Sequence, residues 1–282
     1  MPGRPARVVV VMGHGFSATI PMFMDRYAEY FRDRGLAALA FDHRGHGSSD
    51  GEPRGEINYW VQALGYIDAI GAARAMTEFD QLQVALWSDS MSARVALGVT
   101  ALDERVDALV CQVPALGDTV GADDADGTRL AAVERFLATG QLRRASDTWA
   151  SSSVVSPDQS ASPSALKPLT AFRWFIEYGG RYGSGWTNRV VFTTPNDAPD
   201  FDPFACAPGV RVPTLFVMSP ADEMPGAVSD VTRVVFDRIP GPAELMEVDG
   251  GHFGLLEYPS VAFDQAVEAQ ADFLSRSLGL TR

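Results

Sequence analysis

Val84-Ala85-Leu86-Trp87-Ser88-Asp89-Ser90-Met91-Ser92 is the stretch whose reading decides the fold. Four apolar residues of strand type run into small polar ones, and helical spacing over 91–100 follows with no linker. The string predicts a buried strand at 84–87 feeding a helix through a sharp turn. Such a turn lifts the Ser90 hydroxyl off the sheet edge and needs small neighbours so that backbones can pack closely. Turns of this kind usually read G-x-S-x-G. Here both glycine positions are serine, Ser88 and Ser92, and serine is the next smallest polar choice. The string alone also fits a plain serine-rich helix start, capped by Ser88 or Asp89.

The flanking sequence repeats the strand-then-helix rhythm. Upstream, 8–12 is a β-branched run closed by Gly13-His14-Gly15, and 22–34 has helical spacing that stops at Gly35. A second strand, 36–41, ends in Asp42-His43-Arg44-Gly45-His46-Gly47, and 57–79 reads as a long helix. Downstream, 106–113 is a fourth strand. Strands return at 214–218 and 244–248, with helices at 227–237 and 260–278. Strands alternating with helices predict an α/β fold: a mainly parallel sheet covered on both faces.

Between these blocks the rhythm fails. Residues 1–114 and 211–282 read as one core, and 115–210 as an insertion that caps it. Within the insertion, 150–168 is rich in Ser, Pro and Ala and reads as loop. It is followed by an aromatic stretch holding Phe172, Trp174, Phe175, Tyr178, Tyr182, Trp186 and Phe192. That is too aromatic for a solvated loop, and it predicts a lid over a pocket with an apolar part.

The chain has 282 residues, 46% hydrophobic and 21% charged, within ordinary globular usage. With 23 Lys+Arg against 36 Asp+Glu the net charge is −13, so the basic footprint of a nucleic-acid binder is missing. Two cysteines, Cys111 and Cys206, make no disulfide framework and predict free thiols in a reducing, cytoplasmic setting. No early apolar run has the length of a signal segment or membrane span.

In an open parallel sheet, ligands gather beyond the carboxyl ends of the strands. Beyond 214–218 lies Asp222, and beyond 244–248 lies Gly250-Gly251-His252. The order is therefore Ser90, Asp222, His252. An imidazole can take the proton of a weak serine nucleophile, and a buried carboxylate can fix its tautomer. Glu223 is the alternative acid if the loop register slips by one. The Phe16 and Met91 backbone N–H groups are expected to bind an oxyanion. His14, Asp89, Trp174 and Trp186 are candidate pocket residues, with His14 holding its loop rather than acting as base. Asp89 is expected to point to solvent or into the pocket, where it would recognise a cation. Asp89 as the nucleophile would misplace the turn by one residue. Four histidines without a third ligand at suitable spacing predict no metal, and the absence of a Gly-rich phosphate loop predicts no cofactor.

Met12-Gly13-His14-Gly15-Phe16, Phe41-Asp42-His43-Arg44-Gly45-His46-Gly47-Ser48-Ser49, the Ser90 turn, Asp222 and Gly251-His252 together resemble the α/β-hydrolase superfamily. The resemblance is to its serine esterase, acyl-peptidase and dienelactone hydrolase-like branch, and it fades over 115–210. It implies a serine hydrolase acting on an ester, thioester or related acyl bond of a small molecule, through a catalytic triad. Acyl transfer or cyclisation on the same triad, or ligand binding without turnover, are the alternatives. The resemblance also implies a six-stranded sheet shortened at its N-terminal side, whose exposed edge a second copy could cover in a homodimer.

Overall fold

The computed structural model describes residues 7–76, 82–145 and 150–280. Six strands form the central sheet: β1 (Val8–Gly13), β2 (Ala37–Phe41), β4 (Gln83–Asp89), β5 (Ala108–Gln112), β9 (Thr214–Met218) and β10 (Ala243–Glu247). Four shorter strands, β3 (Glu56–Ile57), β6 (Ala150–Val155), β7 (Ser164–Leu166) and β8 (Val190–Phe192), form a second sheet. The central order is β10-β9-β5-β4-β1-β2, and every pairing in it is parallel. This is an α/β fold with the expected six-stranded parallel sheet.

The valine run of β1 shows why. Val8, Val10 and Met12 belong to one buried cluster and Val9 and Val11 to another, so successive side chains feed opposite faces. One face packs on helices Asp25–Asp33 and Val261–Ser277, through Tyr27, Phe31, Phe263 and Leu274. The other packs on helices Tyr59–Ala75 and Met91–Leu102. A strand buried on both faces has no polar side to alternate, and its sequence is continuously apolar.

Several boundaries differ from the sequence reading. The first helix is preceded by a π-helical turn, Ile20–Met24, so its regular part starts at Asp25. The second helix begins at Tyr59, because Ile57 is taken into β3 and the Asn58 side chain caps the N–H groups of Trp60 and Val61 at 3.0 and 3.3 Å. That helix ends at Ala75; the expected end at Phe79 lies outside the described residues. β4 runs on through Ser88 and Asp89, so the turn is sharper than expected, a single residue between strand and helix.

The serine-rich segment 150–168 is the clearest correction: it contains β6 and β7 rather than loop alone. Val154 and Val155 are buried, and the Asn188 side chain brackets Val155, donating to its carbonyl and accepting from its N–H, both at 3.0 Å. Serine hydroxyls supply local bonds, as where Ser164 donates to the Leu166 carbonyl at 2.8 Å. Composition alone cannot distinguish such a strand from a loop, because serine serves both. β3 comes from the first half of the chain and pairs with β8, which fastens this second sheet to the core. Buried Glu56 reinforces the join, accepting from Arg144 at 2.6 and 2.8 Å and from the Thr193 hydroxyl at 2.6 Å.

Candidate active site

β1 has β2 on one side and β4 on the other, so the carboxyl ends of β1 and β4 flank a point where strand order reverses. The candidate site is built there. Ser90 stands alone between β4 and helix Met91–Leu102, with φ 51° and ψ −117°. A non-glycine residue in this region is strained by roughly 1–3 kcal/mol, a cost that persists where the surroundings fix the backbone. The surroundings here include both serines in the expected glycine positions. The buried Ser88 hydroxyl donates to the Val110 carbonyl at 3.0 Å. The Ser92 hydroxyl accepts the Asp89 N–H at 2.9 Å and donates toward the carbonyls of Gly13 and Asp89, at 3.1 and 2.9 Å. Ser92 thus ties the ends of β1 and β4 to the helix, which a glycine could not do.

Gly15 on the β1 loop approaches this turn closely. A Cβ there would fall 2.8 Å from Asp89 Oδ2 and 3.0 Å from the Ser90 Cβ, so only glycine fits. The approach sets Phe16 beside Ser90 in one cavity. Met91 opens the helix, so its N–H has no partner within it.

His252 sits on a short helix, Gly251–Gly254, that follows β10 after three intervening residues, rather than on the expected open loop. Its Nε2 lies 3.0 Å from Ser90 Oγ and its Nδ1 lies 2.7 Å from Asp222 Oδ2. Asp222 also accepts the Met224 N–H at 2.9 Å, which fixes its carboxylate. Burial pulls the His252 pKa down, but the hydrogen bond and charge of Asp222 outweigh it and leave it raised. Glu223 does not reach the ring; it accepts the His252 backbone N–H at 3.0 Å. Burial pushes its carboxyl up, yet hydrogen bonds from Thr170 and from the His252 N–H leave it below the usual value.

The remaining candidates divide. Asp89 lines the cavity with Ser90 and His252 but is only 2% exposed, so it does not point to solvent. Trp174 lines the cavity as well. Two candidates do not. His14 is fully buried away from it, its Nδ1 donating to the Gly15 carbonyl at 2.8 Å and its Nε2 accepting the His43 N–H at 3.0 Å. Those bonds need a neutral ring, and burial keeps the pKa low. Trp186 packs on Gly179 and on Phe175, 5.5 Å between ring centroids, and lines a separate small crevice beside Thr19 and His46. Cys111 and Cys206 are buried free thiols pushed up to about 12, so neither is a nucleophile.

The cavity holds about 340 Å³. The segment between β5 and β9 contributes Leu166, Trp174, Phe175 and Phe192 to its wall. Trp174 stacks on Phe253, 5.2 Å between centroids, so the residue after His252 seals against this segment. Sequence reasoning missed Arg94 and Tyr59, which also line the cavity. Arg94 carried a usable signal: a cation in the first helical turn opposes the helix dipole, so something else holds it there. Asp200 and the Tyr59 ring do so, the latter 5.5 Å away.

With the geometry in place, comparison with known proteins gives the family. A sequence profile described as Hydrolase_4, serine aminopeptidase, S33, matches residues 4–177, more than half of the chain. The chain belongs to this family. It is an α/β-hydrolase-fold enzyme. Among curated relatives of this S33 chain, the quorum-quenching protein AidA of Acinetobacter baumannii is 26% identical, over 96% of this chain and 87% of that protein. A thiohydrolase of Eupenicillium brefeldianum is 24% identical over 99% of this chain and 89% of that one. The solved structure of the alpha/beta hydrolase GrgF from Penicillium superposes with a TM-score of 0.72 at 22% identity, covering 96% of this chain and 90% of that one. This last likeness concerns the fold. No helix among the described residues is long and apolar enough to cross a membrane.

Proposed function

We propose that the protein is a serine hydrolase that cleaves an ester, thioester or related acyl bond of a small molecule with an apolar part. The observation that carries this reading is the chain of contacts from Ser90 Oγ to His252 Nε2 (3.0 Å) and from His252 Nδ1 to Asp222 Oδ2 (2.7 Å). Ser90 attacks the acyl carbon while His252 takes its proton, and the Phe16 and Met91 N–H groups hold the oxyanion. The bond to the leaving oxygen or sulfur then breaks, and His252 hands over the proton. Water, deprotonated by His252, attacks the acyl-enzyme and releases the free acid and Ser90. Asp222 keeps the proton on Nδ1, so Nε2 stays available as base. Residues 115–210 act as the cap, and Trp174, Phe175 and Phe192 receive the apolar part of the acyl group.

A thiohydrolase among the full-length relatives supports a thioester or ester substrate. The aromatic enclosure favours one second reading, transfer of the acyl group to an alcohol or amine when the cap keeps water out. The test is intact-mass analysis after fluorophosphonate treatment of wild type and Ser90→Ala, followed by acyl ester and thioester turnover with and without an added amine. One adduct on wild type only, with free acid released in water, is expected. Product formed only with the amine would make the enzyme a transferase. No adduct and no turnover would overturn both readings.

A further inference from the structure

A buried polar relay under the Ser90 turn is not used by the proposed mechanism. It begins at Trp87, whose indole N–H can only donate. It donates to Gln270 Oε1 at 2.7 Å. The Gln270 amide nitrogen must therefore face the other way, and it donates to Gln112 Oε1 at 2.5 Å. Gln112 is fully buried, and its nitrogen is left as the outgoing donor. In the β4–β5 register Gln112 stands directly opposite Asp89. Gln112 Nε2 and Asp89 Oδ1 are both buried with no hydrogen-bond partner among the described residues, one an unused donor and the other an unused acceptor. Asp89 Oδ2 lies against Gly15, the residue that precedes the Phe16 N–H.

We propose that Asp89 is a positioning residue: ionised, it is the acceptor on which this relay ends, holds the Gly15–Phe16 loop against the Ser90 turn, and supports the positive charge that develops on His252. The inference rests on the hydrolase reading above. An unused buried donor placed opposite an unused carboxylate oxygen favours the anion, since a protonated acid would meet that donor with a donor of its own. Burial opposes the charge, and the balance pushes the Asp89 carboxyl up to about 7, with burial the larger cause and His252, Gln112 and the Gly15 N–H working against it. The titratable groups facing Asp89 are His252, Asp222, Tyr27 and Tyr66. Both phenols are raised by burial and stay neutral, Tyr27 donating to the Leu255 carbonyl at 2.7 Å and Tyr66 to the Trp87 carbonyl at 3.1 Å. Asp89 and His252 thus act as one coupled pair, and the active form needs both deprotonated.

The test is the pH profile of kcat and kcat/KM on an activated ester for wild type, Asp89→Asn and Gln112→Met, with circular dichroism and Tm confirming folding. Wild type is expected to lose activity on the acid side with a slope above one proton. Asp89→Asn should show a one-proton limb displaced to lower pH, because the charge that raises His252 is gone, with kcat down about 10- to 100-fold and KM little changed. Gln112→Met removes the donor that favours the anion and should move the limb to higher pH. A wild type that is labelled and turns over, with both variants keeping its slope and position, overturns this inference alone. A wild type that neither labels nor turns over overturns the hydrolase reading and this inference together.

Discussion

In the central sheet both faces are buried, and the candidate catalytic residues stand one to five residues beyond the strand ends: Phe16 after β1, Ser90 after β4, Asp222 after β9, His252 after β10. Their mutual distances follow from strand spacing and register, which the backbone fixes. The segment between β5 and β9 works differently. Its strands are short, its sheet borrows β3 from elsewhere in the chain, and its aromatic residues split between a cavity wall and their own packing. Trp174 and Trp186 lie twelve residues apart in one aromatic stretch, yet one faces the cavity and the other covers Gly179. A regular sheet places chemistry by rule; an insertion places it by which pockets happen to be filled.

The contrast can be broken most severely at the sheet. Ser90→Ala is expected to lower kcat by about 10⁶-fold, as removal of a triad nucleophile does, and to abolish the fluorophosphonate adduct while circular dichroism stays native. Wild-type turnover in that variant would remove the sheet-end site altogether. Asp222→Asn should cost about 10⁴-fold through the wrong imidazole tautomer, read as kcat on the same ester. Arg144→Met attacks the join between the two regions. It leaves Glu56, whose side chain is fully buried, without its cation, and denaturant unfolding is expected to show a loss of about 3–5 kcal/mol.

Smaller effects sharpen the comparison. Trp174→Ala should change kcat/KM between short and long acyl chains by about tenfold, the scale of a pocket contact worth 1–3 kcal/mol. Trp186→Ala should lower Tm and leave that ratio as in wild type; an equal change in both variants would mean the aromatic stretch acts as a single wall. Glu223→Gln is the mildest. The Glu223 pKa is depressed in the folded state, so its contribution to stability is present above the usual value of 4.5 and is lost as pH falls through the lower folded value. Variant and wild-type Tm should therefore differ at neutral pH and converge in acid, with kcat within a few-fold throughout.

Much of this was legible in the residues. The valine run, the strand-to-helix turn holding Ser90 and the order Ser90, Asp222, His252 point to a parallel sheet with candidate site residues beyond its strand ends. Ser88 and Ser92 were legible as small but not as bonded, because the partners of Ser92 include the Gly13 carbonyl, distant in sequence. His14 was legible as a loop holder, but its exclusion from the cavity was not, since that depends on His43 from the next strand end. Glu223 against Asp222 was a matter of one residue of loop register, decided by which carboxylate meets Nδ1.

The sequence by itself determined the layer order, the identity of the strand-end residues and the aromatic character of the segment between β5 and β9, because periodicity and small-residue turns are local properties of the chain. Tertiary structure alone decided which tryptophan enters the cavity, that a serine-rich segment becomes strand, and that Asp89 is buried opposite Gln112, where the bonds running from Trp87 through Gln270 end. Each of these depends on contacts between residues far apart in sequence, and a buried polar group acquires its role only from the partner that meets it.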